Sequence, residues 1–291
     1  MELNKIWNED NLITMSEHMD DKSVDIILTS PFYNSTDGNR GTLLNQNGKG
    51  YASCRYDDFN DNMSESEYNE YTIKLFKGFN KILKDDGCVL YNLSYGTNNP
   101  SGMFKVINEI LDKSNFAMAD CIVWKKKSAI PNNVSSNRLT RITEFVFVFA
   151  RKNEIDTFYC NKKILSYSNT NQAYYENIFN FIEADNNDES CPYNKATYST
   201  DLCKRLLKMY APKNGVVYDP FMGSGTTALA SKQMGLSYIG SELSPNQCEW
   251  AENRIKNGKG ARTQDLNKES IFEIWWGYKW LIYITMIVWI N

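Results

Sequence analysis

Gly215-Val216-Val217-Tyr218-Asp219-Pro220-Phe221-Met222-Gly223-Ser224-Gly225-Thr226-Thr227 decides the fold of this chain. A short apolar run ends in an acid, a tight glycine turn follows, and two threonines enter a helix that Gly235 ends. Leu236-Ser-Tyr-Ile-Gly240 reads as the next strand, with Glu242 just beyond it. Strand, glycine turn, helix, strand, acid is the logic of a nucleotide-type cofactor site. Glycines let the backbone approach a ligand, the helix N-terminus offers free N–H groups, and an acid after the second strand can accept two hydrogen bonds from ribose hydroxyls. The 23 residues from Asp219 to Glu242 suit one βαβ step. A lone GxG would serve equally well as a plain strand-to-helix turn; Asp219, Pro220, Phe221 and Glu242 set this one apart. The pattern is not GxGxxG and no phosphate-binding lysine follows it, which points to a cofactor with a ribose but no phosphates.

Working outward, the alternation of apolar strands and helical periods continues. Val24–Leu28 reads as a buried strand. Residues 34 to 62, rich in Asn, Gly, Asp and Ser, read as a long surface loop. Ser64 and Glu67 form a capping box ahead of Tyr68, Leu75, Phe76, Phe79 and Ile82 at helical spacing. Cys88–Leu93 is the next strand. Ser101 starts a helix with Phe104, Ile107, Ile110 and Leu111 on one face. Residues 117 to 124 and 145 to 150 suggest two strands paired as an antiparallel edge. Residues 152–195 lose periodicity and read as an inserted variable segment outside the sheet core. A helix from Asp201 to Tyr210 resumes the α/β pattern, and Ser244-Pro245 caps the last helix.

Thr29-Ser30-Pro31-Phe32-Tyr33 follows the Val24–Leu28 strand, at the end where α/β sheets place their chemistry. The segment resembles the catalytic motif of the amino-type DNA methyltransferases, which implies as substrate the amino group of a base, a poor nucleophile because its lone pair is delocalised into the ring. Two acceptors that bind its hydrogens localise that pair. The Ser30 hydroxyl and the Pro31 carbonyl are suitable acceptors, and Tyr33 can stack on the base. No covalent intermediate is needed, so positioning and electrostatics supply the rate.

Together the two segments resemble the amino-type DNA methyltransferases. Asp219-Pro-Phe-Met-Gly-Ser-Gly-Thr-Thr is similar to that family's methionine-cofactor loop, and Tyr238-Ile-Gly-Ser-Glu242 to the segment after it. Ser30–Tyr33 resembles its (Ser/Asp/Asn)-Pro-Pro-(Tyr/Phe) motif, with Phe32 in place of the second proline, so the local φ restraint is missing and full activity is in question. The resemblance spans residues 4 to 257, and the order of the motifs is that of the beta class. It implies a three-layer α/β methyltransferase fold with a mixed, mostly parallel twisted sheet and an inserted target-recognition region. It divides the chain into a catalytic half (1–151), a variable target-recognition insert (152–195), a cofactor-binding half (196–260) and an atypical apolar tail (261–291).

The same resemblance implies S-adenosyl-L-methionine as cofactor, bound by Asp10, Asp219, Pro220, Phe221, Gly223, Gly225, Thr226 and Glu242, with Ser30, Pro31, Phe32 and Tyr33 catalytic. Serine at position 30 leans toward cytosine N4 over adenine N6. The alternatives are a catalytically impaired DNA-binding relative and a methyltransferase acting on RNA or a protein amide. A C5-cytosine enzyme would need Pro-Cys, and here Cys191-Pro192 runs in reverse. The implied partner is double-stranded DNA, with room for a cognate restriction endonuclease.

Composition bounds these readings. The chain has 291 residues, 42% hydrophobic, with net charge -3, so a core is affordable and a wholly basic coat is excluded. Trp124–Lys163 nevertheless holds nine lysines and arginines against three acids, a local +6. Lys125, Lys126, Arg138 and Arg141 are the candidate DNA contacts, set against a merely solvated face. Seven scattered cysteines and a single histidine lack metal-site spacing and suit free thiols in a reducing cytoplasm. The apolar run Trp280–Ile290 is shorter than the ~20 residues of a spanning helix. It reads as a docking element, an oligomer contact or an out-of-frame extension, and a membrane role is disfavoured.

Overall fold

The computed structural model describes residues 1–34, 63–95, 100–128, 136–137, 139–188, 191–194 and 197–258. The loop expected beyond Asn34, Arg138 and the apolar tail lie outside them. The elements are β1 (Lys5–Trp7), α1 (Asn11–Ile13, running into a π turn at Thr14–His18), β2 (Val24–Thr29), α2 (Glu65–Ile82), β3 (Leu83–Leu93), α3 (Gly102–Lys113), β4 (Phe116–Lys126) and β5 (Thr143–Arg151). They continue with β6 (Ile164–Tyr167), β7 (Ala173–Tyr175), β8 (Phe181–Ala184), α4 (Thr200–Tyr210), β9 (Val216–Asp219), α5 (Thr226–Gln233), β10 (Ser237–Ser241) and α6 (Pro245–Asn257).

Eight strands form one sheet in the order β1-β10-β9-β2-β3-β5-β4-β8, and β5 alone runs against the others. Alternate residues of the central strands face two different cores. Ile27, Val89, Tyr91, Phe147, Phe149 and Tyr218 pack under α2 and α3. Ile26, Leu28, Leu90, Val146, Val148 and Val217 pack against α4. Both faces are covered, which is why these strands read as continuous apolar runs and not as alternating ones. The result is the expected three-layer α/β architecture with a mixed, mostly parallel sheet.

Local signals are realised closely. Ser64 and Glu67 make a reciprocal capping box on α2, and Ser244 caps α6 with proline at its start. Three expectations are corrected. On α3 the buried face is Met103, Val106, Ile107 and Ile110, while Phe104 is exposed. The pair β4–β5 is not the sheet edge, because β8 joins β4 in parallel and buries Ile182 and Ala184. The segment 152–195 is therefore not wholly outside the sheet core: its hairpin β6–β7 stands apart with exposed side chains, but its last strand completes the sheet.

Candidate active site

The carboxyl ends of β2, β9 and β10 meet at one cleft of about 320 Å³, lined among others by Asp10, Asn11, Ser30, Phe32, Phe221 and Glu242. Asp219 ends β9 but does not line that cleft. It is fully buried, and accepts hydrogen bonds from Thr29 Oγ1 (2.7 Å), Thr227 Oγ1 (2.5 Å), Tyr198 Oη (3.3 Å) and the Phe221 amide (3.0 Å). Burial pushes its carboxyl above the usual carboxylate range, and these hydrogen bonds oppose the shift. Asp219 ties β2, the turn and α5 together from beneath the cleft.

The turn needs its glycines for two different reasons. Gly223 (φ +52°) lines the cleft, and its amide donates to Glu242 Oε2 at 2.7 Å. Gly225 (φ +79°) faces α6, where an added Cβ would lie 2.7 Å from the Cβ of Ala251, so it packs two helices and does not line the cleft. Thr226 and Pro220 line it. Glu242 lines the cleft and is held by the Gly223 amide and by the Ser244 amide at 2.9 Å. Asp10 accepts the Leu12 amide at 2.7 Å and so caps α1.

On the other wall, Ser30 and Phe32 line the cleft, and Phe32 and Phe221 meet edge to face at 5.8 Å between centroids. Phe32 is buried against Tyr68 and Tyr71, and its carbonyl accepts the Tyr68 hydroxyl at 2.8 Å. Packing and this hydrogen bond hold Phe32 in place. Pro31 is buried and Tyr33 half-buried, and neither lines the cleft. The Tyr33 hydroxyl lies 3.1 Å from Ser30 Oγ and donates toward Asn92 Oδ1 (3.0 Å) and Glu144 Oε2 (3.1 Å).

The basic segment is less available than its tally suggests, because that count omitted Glu183, Asp185 and Asp201, against which it folds. Lys125 pairs with Glu183, Lys126 with Glu144, and Lys127 with Asp185 and Asp201. Arg151 is buried against the carbonyls of Asn80, Leu83 and Lys84 at the end of α2, and Lys152 caps the carbonyls of Leu111 and Ser114. Both serve helix termini. Arg141 lies over the Tyr95 ring at 4.7 Å.

Sequence reading missed several cleft residues. Asn11 bridges Tyr71 Oη (2.8 Å) and the Pro220 carbonyl (3.1 Å), and Asn194 and Gln247 close the wall beyond Gly223. A buried polar side chain at the mouth of a parallel sheet signals a site only once its neighbours are known.

A mostly parallel three-layer sheet, a glycine turn after β9, an acid after β10 and a second motif after β2 on the same cleft define an α/β methyltransferase. Within that class the chain belongs to the DNA methylase family of N6- and N4-amino methyltransferases, whose profile matches residues 24–253. It is similar to the type II methyltransferase M2.MboI of Moraxella bovis, at 24% identity over 235 residues that cover 80% of each chain. It is also similar to the orphan methyltransferase M.BamHII of Bacillus amyloliquefaciens, at 23% identity over 274 residues covering 84% of this chain and 92% of that one. Among solved structures, the PvuII cytosine-N4-specific DNA methyltransferase superposes with a TM-score of 0.62 at 18% identity, covering 88% of this chain and 93% of its own, a likeness of fold.

Proposed function

We propose that this chain transfers a methyl group from S-adenosyl-L-methionine to the exocyclic amine of a base flipped out of duplex DNA, cytosine N4 in preference to adenine N6. The observation that carries this reading is that a single cleft is lined both by Ser30 and by the Gly223 turn with Glu242.

The residues suit the cofactor. The Gly223 amide, which in a phosphate loop would face an anion, is already taken by Glu242. Glu9, Asp10 and Glu242 line the cleft together against one lysine, Lys74, so it favours hydroxyls and cationic groups over phosphates. In this reading Glu242 holds the ribose, Asp10 lies near the adenine, and Phe221 with the glycine turn cradles the methionine part. Bound there, S-adenosyl-L-methionine supplies an electrophilic methyl group. Ser30 Oγ and the Pro31 carbonyl accept the hydrogens of the amine and localise its lone pair. The Tyr33 ring supports the base by stacking, and Phe32, held in the aromatic cluster, keeps Ser30 at the cleft wall with Pro31 directly behind it. Extrusion of the base costs a few kcal/mol, which contacts to the backbone must offset. Arg138 and Arg141 are the DNA contacts this reading retains first, with Lys125 and Lys126 engaged only if their acidic partners release them.

Among the described residues no helix is long and apolar enough to cross a membrane, and no cluster of His, Cys, Asp and Glu is placed to hold a metal. The proposal puts the chain in the cytoplasm with DNA, beside or without a cognate restriction endonuclease. Its test is incubation with labelled cofactor and mixed-sequence duplex DNA, digestion to nucleosides and mass spectrometry. Label in N4-methylcytosine supports the whole reading. Label in N6-methyladenine keeps the reaction and reverses the base preference. Bound cofactor without labelled DNA favours the catalytically impaired relative, or RNA or a protein amide as substrate.

A further inference from the structure

Glu144 belongs to neither sequence motif, yet it reaches the catalytic end of the sheet. It does so because β5 is antiparallel: the strand begins where β3 ends, with Leu93 opposite Phe145 and Trp124 opposite Glu144. One carboxylate oxygen, Oε2, lies 3.1 Å from the Tyr33 hydroxyl. The other, Oε1, is held by Lys126 Nζ, whose ammonium also sits 5.0 Å over the Trp124 ring. Asn92 presents its Oδ1 to the same hydroxyl, and its amide nitrogen is fixed on the Phe145 carbonyl at 3.1 Å, so it cannot turn to donate.

A phenol has one proton, and here two acceptors without protons of their own face it. The 3.1 Å contact between Ser30 Oγ and Tyr33 Oη must then be made by the serine proton. Resting on the amine-methylation reading above, we infer that Glu144, clamped by Lys126, is a positioning residue that draws the Tyr33 proton away from Ser30. Ser30 consequently donates to Tyr33 and turns its lone pairs to the amine. With the tyrosine proton pointing the other way, Ser30 would be the acceptor of that contact, and a lone pair needed for the amine would be taken. While paired with Glu144, Lys126 therefore serves the reacting centre.

The test is a cycle of single-turnover methyl transfer to mixed-sequence duplex DNA by the wild type, Glu144→Gln, Tyr33→Phe and the double variant, with cofactor affinity and thermal midpoint measured on each. Tyr33→Phe keeps the ring and leaves the Lys126–Glu144 pair in place, so it reports the hydroxyl alone even where Glu144→Gln does not fold. The expected result is a rate loss of about 10- to 100-fold in each single variant, the range typical when an outer partner of a reacting group is removed. Cofactor affinity and midpoint stay unchanged, and the double variant is no slower than the slower single, because both changes break one chain of hydrogen bonds. Wild-type rates in Tyr33→Phe, or losses that multiply in the double variant, overturn the inference. Losses that track the midpoint or cofactor affinity assign Glu144 to stability alone and also overturn it. A wild-type chain that transfers no methyl group overturns the reading of function and the inference with it, and the wild-type arm distinguishes that case.

Discussion

The two walls of the cleft are built in opposite ways. The centre of the wall around Glu242 comes from one stretch of chain: the glycine turn and Glu242, with Asp219 and Thr227 beneath, lie between positions 219 and 242 and are joined by hydrogen bonds, while Asn11, Asn194 and Gln247 complete its rim. The wall around Ser30 is assembled across four strands. Tyr33 is tied to Asn92, 59 positions away, and to Glu144, 111 positions away, with Lys126 behind. The centre of the local wall rests on β9, α5 and β10, with β2 and α1 bracing it through Thr29 and Asn11. The distant wall depends on the register of β3, β4 and β5, so it can be tuned without disturbing cofactor binding.

The largest expected effect separates the walls. Ser30→Ala should slow methyl transfer by about 10²–10³, the loss usual for one positioned partner of a reacting atom, while cofactor affinity measured by calorimetry stays at the wild-type value. A parallel loss of cofactor binding would break the division. Gly225→Ala should act on the other wall. A Cβ 2.7 Å from Ala251, at φ +79°, costs about 1–3 kcal/mol, so the thermal midpoint should fall by several degrees and cofactor affinity with it. An unchanged midpoint would show that α5 and α6 shift freely.

Asp219 sharpens the comparison through pH. Its raised pKa means the folded chain holds a proton where the unfolded chain has released it. The stability it contributes is therefore fully present below the ordinary carboxylate range and lost as pH rises through the raised value. Asp219→Asn has no such dependence. Urea midpoints across a pH series should show wild type losing ground against the variant as pH rises from acid toward neutral; a constant gap would mean that the hydrogen bonds to the carboxyl cancel the effect of its burial. The smallest effect belongs to Lys125→Ala. Its exposed pair with Glu183 should leave the thermal midpoint unchanged, and a pair already neutralised should leave DNA affinity at matched salt nearly unchanged. A clear loss of DNA affinity would return Lys125 to the DNA contacts.

Much of the fold was legible because its signals are local. The capping box at Ser64, the proline at the start of α6, the apolar runs of β2 and β3 and the glycine turn each depend on neighbours a few residues away. The errors have one physical source. Phe104 looked like core because phenylalanine usually is, but the rotation of α3 on the sheet buries Met103 and Val106 instead. The strand β8 was hidden because only Ile182 and Ala184 of its four residues are buried, too short a pattern to stand out among polar neighbours. The basic tally failed because Glu183 and Asp185 reach Lys125 and Lys127 only through the parallel pairing of β8 with β4.

By itself the sequence determined the class of the chain, the order of its two motifs and the chemistry each can perform, since those rest on residue types at short spacing. Tertiary structure alone decided that Asp219 supports the turn from beneath, that Gly225 separates two helices, and that Lys126 and Glu144 stand behind Tyr33. Backbone propensity and turn chemistry act over a few residues and leave their mark in the string. Which side chains share a hydrogen bond across a sheet is set by strand order, direction and register, and these exist only once the whole chain has closed on its core.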